Sequence, residues 1–86
     1  MVAGGPLRVG LNLSRDQALV LSAWLDRKMS QKQFADVVDD RAVWSALLQI
    51  SGTLETSLRE VFETEYDDHV GRARERLLLE LGDFGL

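Results

Sequence analysis

Leu13-Ser14-Arg15-Asp16-Gln17-Ala18-Leu19-Val20-Leu21-Ser22-Ala23-Trp24-Leu25 is the stretch whose reading decides the fold class. Ser14 has a hydroxyl that can accept from a backbone N–H in the first turn. Gln17 stands where its side chain can reach back to the N–H of Ser14, and Leu13 can fold over Ala18. These are the start signals of an α-helix. Behind them Ala18, Leu21, Leu25 and Met29 recur at helical spacing, with Val20 and Trp24 alongside. Residues 18–21 are apolar on every side, so this helix is expected at the centre of a helical assembly rather than on its rim.

Toward the C-terminus the same logic repeats. Ser30-Gln31-Lys32-Gln33 has the capping pattern and predicts a short helix through Phe34 to Val38. Asp39 or Asp40 then caps a long helix over residues 41–62. Its stripe is Val43, Leu47, Ile50, Leu54, Leu58 and Val61, widened by Trp44 and Leu48. Gly52 in the middle costs about 1 kcal/mol relative to Ala, so it either admits a close crossing or marks a bend. Thr64 is the expected cap of a last helix with Tyr66, Val70, Ala73, Leu77 and Leu81 inward and Gly82 at its end.

Toward the N-terminus, Leu7-Arg8-Val9-Gly10-Leu11-Asn12-Leu13 alternates apolar with other residues, the period of a half-buried strand. No second strand can be read in the chain, and a lone strand leaves its own backbone groups unpaired. The segment therefore either lies extended across the helices or pairs with its copy in a second molecule. The expected architecture is all-α: a small bundle of three main helices and one short helix, with an N-terminal extended segment of strand-like pattern. Residues 1–6 read as a flexible N-terminus, 7–82 as a single helical domain and 83–86 as a C-terminal tail.

Composition limits what such a chain can do. Eighty-six residues make one domain with a thin core, since a chain this short buries only about 60–65% of the surface it exposes when unfolded. There is no cysteine, so neither a disulfide framework nor thiolate chemistry is available. No run approaches a membrane span, and the N-terminus lacks a basic region followed by a long apolar stretch, which leads to the expectation of a cytoplasmic protein without a membrane partner. The formal charge of −4 argues against broad contact with a phosphate backbone, so nucleic acid is not the expected partner. Charge is also uneven. Residues 55–68 hold six acids and one base, whereas in 70–81 Arg72, Arg74 and Arg76 stand against Glu75 and Glu80.

Signals for catalysis are absent or explained. His69 is the one histidine, with Glu65 a turn before it and Asp67 and Asp68 adjacent, but Tyr66 occupies the position where a Glu-x-x-His metal pair needs its carboxylate. The ligand number also falls short of a metal site. His69 is expected on the solvated side of its helix, with the acids interacting with the helix dipole. Ser14 and Ser30 are accounted for as caps, while Ser45, Ser51 and Ser57 lie within a helix without a glycine-flanked elbow. Gly4-Gly5-Pro6 opens no phosphate-cradling motif. The expectation is no catalytic residue, no metal and no cofactor.

For DNA, Met29-Ser30-Gln31-Lys32-Gln33-Phe34-Ala35-Asp36 looks like the first helix of a phage-repressor helix-turn-helix. The turn, however, is Asp39-Asp40 where glycine is expected, and the following helix has one Arg and then mostly core residues. Arg72, Arg74 and Arg76 fan around their helix rather than forming one patch. The aromatics Trp24, Phe34, Trp44, Phe62 and Tyr66 are a large load for a small core, and any left outside is a natural anchor for another chain.

Leu13-Ser14-x-x-Gln17-Ala18-Leu19-Val20-Leu21-x-x-Trp24-Leu25 resembles a group of short bacterial proteins with the pattern Leu-Ser-x-x-Glu-Ala-Leu-Val-Leu, then an aromatic and Trp-Leu. The likeness continues through residues 42–44, Leu54-Glu55, Phe62 with Tyr66, and Ala73-Arg74-x-x-Leu77, covering residues 13–78. Gln17 replaces the usual Glu and keeps the capping role. The resemblance implies a compact bacterial intracellular domain and brings no established activity with it. The sequence thus points to a protein-interaction module, homodimeric, in an accessory or immunity-type role, with Leu7, Val9, Leu11, Trp24, Trp44 and Tyr66 as candidate partner-binding residues. A second protein is a further candidate partner. A helix-turn-helix-like DNA-associated regulator is the alternative, and an enzyme the third reading.

Overall fold

Four helices follow one another, α1 (Arg15–Met29), α2 (Lys32–Val38), α3 (Arg41–Ser57) and α4 (Tyr66–Leu81), in a computed structural model that describes residues 7–59 and 63–82. Three long helices and one short helix, with no strand among the described residues, make this the small all-α bundle that the periodicity predicts. The 1–6 arm, the 83–86 tail, and Val61 and Phe62 at the end of the predicted long stripe lie outside the described residues.

α1 begins as its sequence dictates. The Ser14 N–H donates to Gln17 Oε1 at 2.8 Å and the Gln17 N–H donates to Ser14 Oγ at 3.1 Å, which completes a reciprocal capping box. This helix packs against each of the other three, so it is central. Leu19 and Leu25 are its buried apolar residues; Ala18, Leu21 and Met29, the predicted stripe, pack partly buried around them. The inward face is thus turned toward Leu19, because α1 has packing partners on more than one side.

The short helix departs from its predicted start. Ser30 has αR backbone angles (φ −85°, ψ −7°), and its hydroxyl donates to the Arg27 carbonyl at 2.8 Å, so it closes α1 instead of opening α2. Gln31, in an extended conformation, is the residue that precedes α2, without a side-chain cap. Seven residues do not sustain a helix alone, and α2 holds through tertiary contact. Phe34 supplies it by standing edge-on to Trp24 of α1 (centroids 5.6 Å, 88°) and tilted against Trp44 of α3 (5.7 Å, 53°).

The two aspartates between α2 and α3 divide the work. Asp39 takes left-handed angles (φ 48°, ψ 15°) and ends α2 with its N–H on the Ala35 carbonyl, the role usually given to glycine. A short polar side chain tolerates that conformation at modest cost. Asp40 is extended, and its Oδ1 accepts from the Ala42 N–H at 2.9 Å to start α3.

α3 ends at Ser57, short of the predicted residue 62. Leu58 leaves the helix with extended angles (φ −105°, ψ 118°) and is buried with Leu19, Leu25, Leu54 and Ala73. Burying Leu58 in that core outweighs extending the stripe. α4 likewise starts one residue later than a Thr64 cap would give: Glu65 precedes it without a side-chain cap, and Asp67 and Asp68 bring negative charge to the first turn. The inward positions Tyr66, Val70, Ala73 and Leu77 are as predicted, but Leu81 is exposed, because it lies beyond the reach of α1. Gly82 ends the helix at φ 62°.

α4 runs antiparallel to α1, since Asp16 near the start of α1 meets Arg76 late in α4, while Ser22 meets Tyr66 at the start of α4. Ala73, fully buried, is small enough to let the two helices approach closely. Tyr66 brings its hydroxyl to Ser22, the buried polar side chain of the core among the described residues.

Candidate interaction surface

Among the described residues five apolar ones are buried in the core, while eleven large hydrophobics stay exposed. That imbalance defines the surface. The exposed set falls into four places: residues 7–13, Trp24 on α1, the outer faces of α2 and α3 (Val37, Val43, Leu48), and the end of α4 (Leu78, Leu79, Leu81).

Residues 7–13 have no regular secondary structure and make no hydrogen bond with other described residues. The strand suggested by their alternation does not form in the single chain, because no strand exists among the described residues to pair it. Leu7, Val9 and Leu11 are 83%, 81% and 75% exposed. Val9, Leu11 and Leu13 border an apolar groove of about 470 Å³, closed on the other side by Ala18 of α1 and Ile50, Thr53 and Leu54 of α3. The groove therefore has an apolar floor from the helices and an apolar wall from the segment.

The six candidate partner-binding residues do not form one site. Leu7, Val9 and Leu11 lie along the N-terminal segment. Trp24 and Trp44 are joined through Phe34 into an aromatic row across α1, α2 and α3, with Trp24 exposed and the other two rings half-buried. Tyr66 is half-buried against the core. Burial, before the acids Asp26, Asp67 and Glu55, raises its phenol above the ordinary value of 10.0, while Ser22 acts in the opposite direction. Sequence reading missed Phe34 as the joining ring. Its signal was present, since a lone aromatic on a seven-residue helix must be what attaches that helix to the rest.

A second, polar cleft of about 280 Å³ lies between α1 and α4, lined by Arg15, Asp16, Leu19, His69, Arg72 and Arg76. Arg76 grips Asp16 with two bonds, Nε to Oδ2 at 2.8 Å and Nη2 to Oδ1 at 2.9 Å. This guanidinium holds the Asp16 carboxyl below its usual range, chiefly through the hydrogen bond, and the Arg76 pKa is raised in return. The partners are 60 residues apart, and no local spacing announces them. Arg72 Nε donates to the Asp68 carbonyl oxygen at 3.4 Å, so the predicted contact between those residues goes to backbone rather than carboxylate. Arg74 lies apart, beside Trp24 and Arg27, in accord with the predicted fanning of the three arginines.

His69 is half-buried in this cleft rather than on the solvated side, because α4 turns that face toward α1. Its Nε2 lies 3.3 Å from Glu63 Oε2 without the alignment of a hydrogen bond, and Glu65 meets it only through a backbone carbonyl. Among the described residues no three of His, Asp and Glu stand together as a metal site, and no helix is long and apolar enough to cross a membrane.

Fold and surface together define a small helical bundle with a thin core and several exposed apolar side chains among the described residues. No protein-family model, curated protein or solved structure matches the chain.

Proposed function

We propose that this protein is an interaction module that completes its apolar surface by self-association, acting through contact with protein rather than through turnover. One observation supports the reading above the others: among the described residues five apolar ones are buried and eleven large ones exposed, with Leu7, Val9 and Leu11 largely uncovered beside an apolar groove. A run of large apolar side chains exposed beside an apolar groove is a surface that a partner can cover, and burying each such side chain is worth about 1.5–3 kcal/mol. An accessory or immunity-type role, in which the assembled module covers a surface of another protein, is part of the same proposal, with the aromatic row at Trp24 as the anchor for that second contact. A cytoplasmic setting suits a chain without cysteine.

Solution mass by light scattering across a dilution series tests this reading, for the full chain and for a form lacking residues 1–13. The expected result is a dimer that becomes monomeric on truncation. Single-chain mass for both forms at every concentration overturns it.

The DNA-associated alternative has one observation in its favour: Asp39 adopts the left-handed angles that the turn of a helix-turn-helix requires. Against it, the exposed positions of α3 after Arg41 include Ala42, Val43, Ser45, Ala46 and Leu48, none of them cationic. Duplex binding that weakens steeply with salt is the result that would favour this alternative.

A further inference from the structure

We infer that residues 7–13 of two copies pair as an antiparallel ribbon whose twofold axis passes through Gly10. The inference rests on the self-association proposed above and specifies where and in what register it occurs.

Three observations point to a second copy as the occupant. First, the backbone of residues 7–13 has no hydrogen-bond partner among the described residues, and an unpaired row of N–H and C=O groups is a template for another strand. Second, the segment is complementary to itself. With Gly10 opposite Gly10, Leu7 faces Leu13 and Val9 faces Leu11, so every apolar residue of one copy meets an apolar residue of the other. Arg8 faces Asn12 on the opposite side of the ribbon, so no two cations are paired. Third, the apolar side of the segment already borders the groove over α1 and α3. A ribbon with all its apolar side chains on one face would lay that face toward the groove.

Other registers do worse. Shifting the axis to Val9 leaves Leu13 without a partner and puts Gly10 against Arg8. Shifting it to Leu11 strands Leu7. A shift of half that size places Leu7, Val9 and Leu11 each opposite a polar residue or glycine, because side chains alternate faces along a strand. Parallel pairing sets Arg8 beside Arg8, a like-charge contact the antiparallel form avoids.

The absence of cysteine makes the test direct, since each introduced thiol is the only one in its chain. Opposed residues of an antiparallel pair have Cα atoms about 4.5–5.5 Å apart, within disulfide reach. Gly10→Cys has open space for its side chain and no left-handed backbone to oppose it. In the inferred register, Arg8 of one copy is four residues along from Arg8 of the other, about 13 Å, and cannot bridge. The measurement is cross-linking of Gly10→Cys, of Arg8→Cys, and of Arg8→Cys mixed with mass-tagged Asn12→Cys, in mild oxidant at a concentration where light scattering shows the dimer. Most Gly10→Cys should run at twice the chain mass on a non-reducing gel, Arg8→Cys alone at single-chain mass, and the mixture should give the tagged heterodimer. A chain that is dimeric by mass, yet cross-links through Arg8→Cys as readily as through Gly10→Cys, overturns the register and leaves self-association standing. Single-chain mass throughout for the unsubstituted protein overturns both.

Discussion

Gly52→Ala should stabilise this protein, and the sign of the effect is informative. Gly52 lies in the interior of α3, and a Cβ built there meets nothing within 4 Å. Its φ is outside the left-handed region, so alanine adopts the same backbone without strain. A close crossing among the described residues, one of the two roles open to it from sequence, is therefore removed, and α3 runs through Gly52 as one helix. What remains is the entropic cost of a glycine in a helix, about 0.5–1 kcal/mol relative to alanine. A stability of about 0.05–0.15 kcal/mol per residue puts the whole domain near 4–13 kcal/mol, so the gain is measurable. For a domain of this size about 1 kcal/mol moves the melting midpoint by roughly 4–8 °C, which makes the expected rise about 2–8 °C. Far-UV circular dichroism during thermal and urea unfolding, with protein concentration held fixed, reads it out. Gly82→Ala is the internal contrast. Gly82 has φ 62° at the end of α4, where a side chain is strained whatever the space, so the same substitution should destabilise. If Gly52→Ala lowers both midpoints with an unchanged urea slope, the reasoning is refuted, and another surface must approach the bare backbone at that position.

Two further outcomes follow from the core. Leu25 is 2% exposed on the central helix, so Leu25→Ala should cost about 2–5 kcal/mol by urea denaturation, a large part of the domain's stability. Leu79→Ala, at a residue 83% exposed, should stay within about 0.5 kcal/mol, and equal losses at both positions would contradict the placement of the core. The single tyrosine, Tyr66, should ionise above pH 10.0 in the folded chain and near that ordinary value in urea, followed by phenolate absorbance. Its folded pKa is raised, so its contribution to stability is complete below the unfolded pKa and is lost as pH rises through the folded one. Coincident folded and unfolded titrations would remove the burial of that ring.

Local chemistry in the chain accounts for the helices, for the starts of α1 and α3 and for the ends of α2 and α4. Ser14 and Gln17 start α1 because cap and acceptor are three residues apart; Gly82 ends α4 because glycine accepts a left-handed backbone. The candidate surface was partly legible too. Alternation in residues 7–13 marked the segment, since period two is a property of neighbours along the chain, and no second run of that period could be read to pair with it. Ser30 shows where local reading stops: its spacing to Gln33 suits a cap, but the backbone of Ser30 is helical and its hydroxyl turns back to α1. The end of α3 was equally beyond reach, because a continued apolar stripe and a buried extended Leu58 compete, and only packing against Leu25 and Ala73 decides between them. Asp16 with Arg76, Ser22 with Tyr66 and the Trp24-Phe34-Trp44 row are contacts between residues far apart in sequence. The sequence by itself determined which segments become helices, because capping and periodicity act within a few residues. The tertiary structure alone decided which faces meet and which apolar side chains stay uncovered, because burial depends on what the rest of the chain brings to each face.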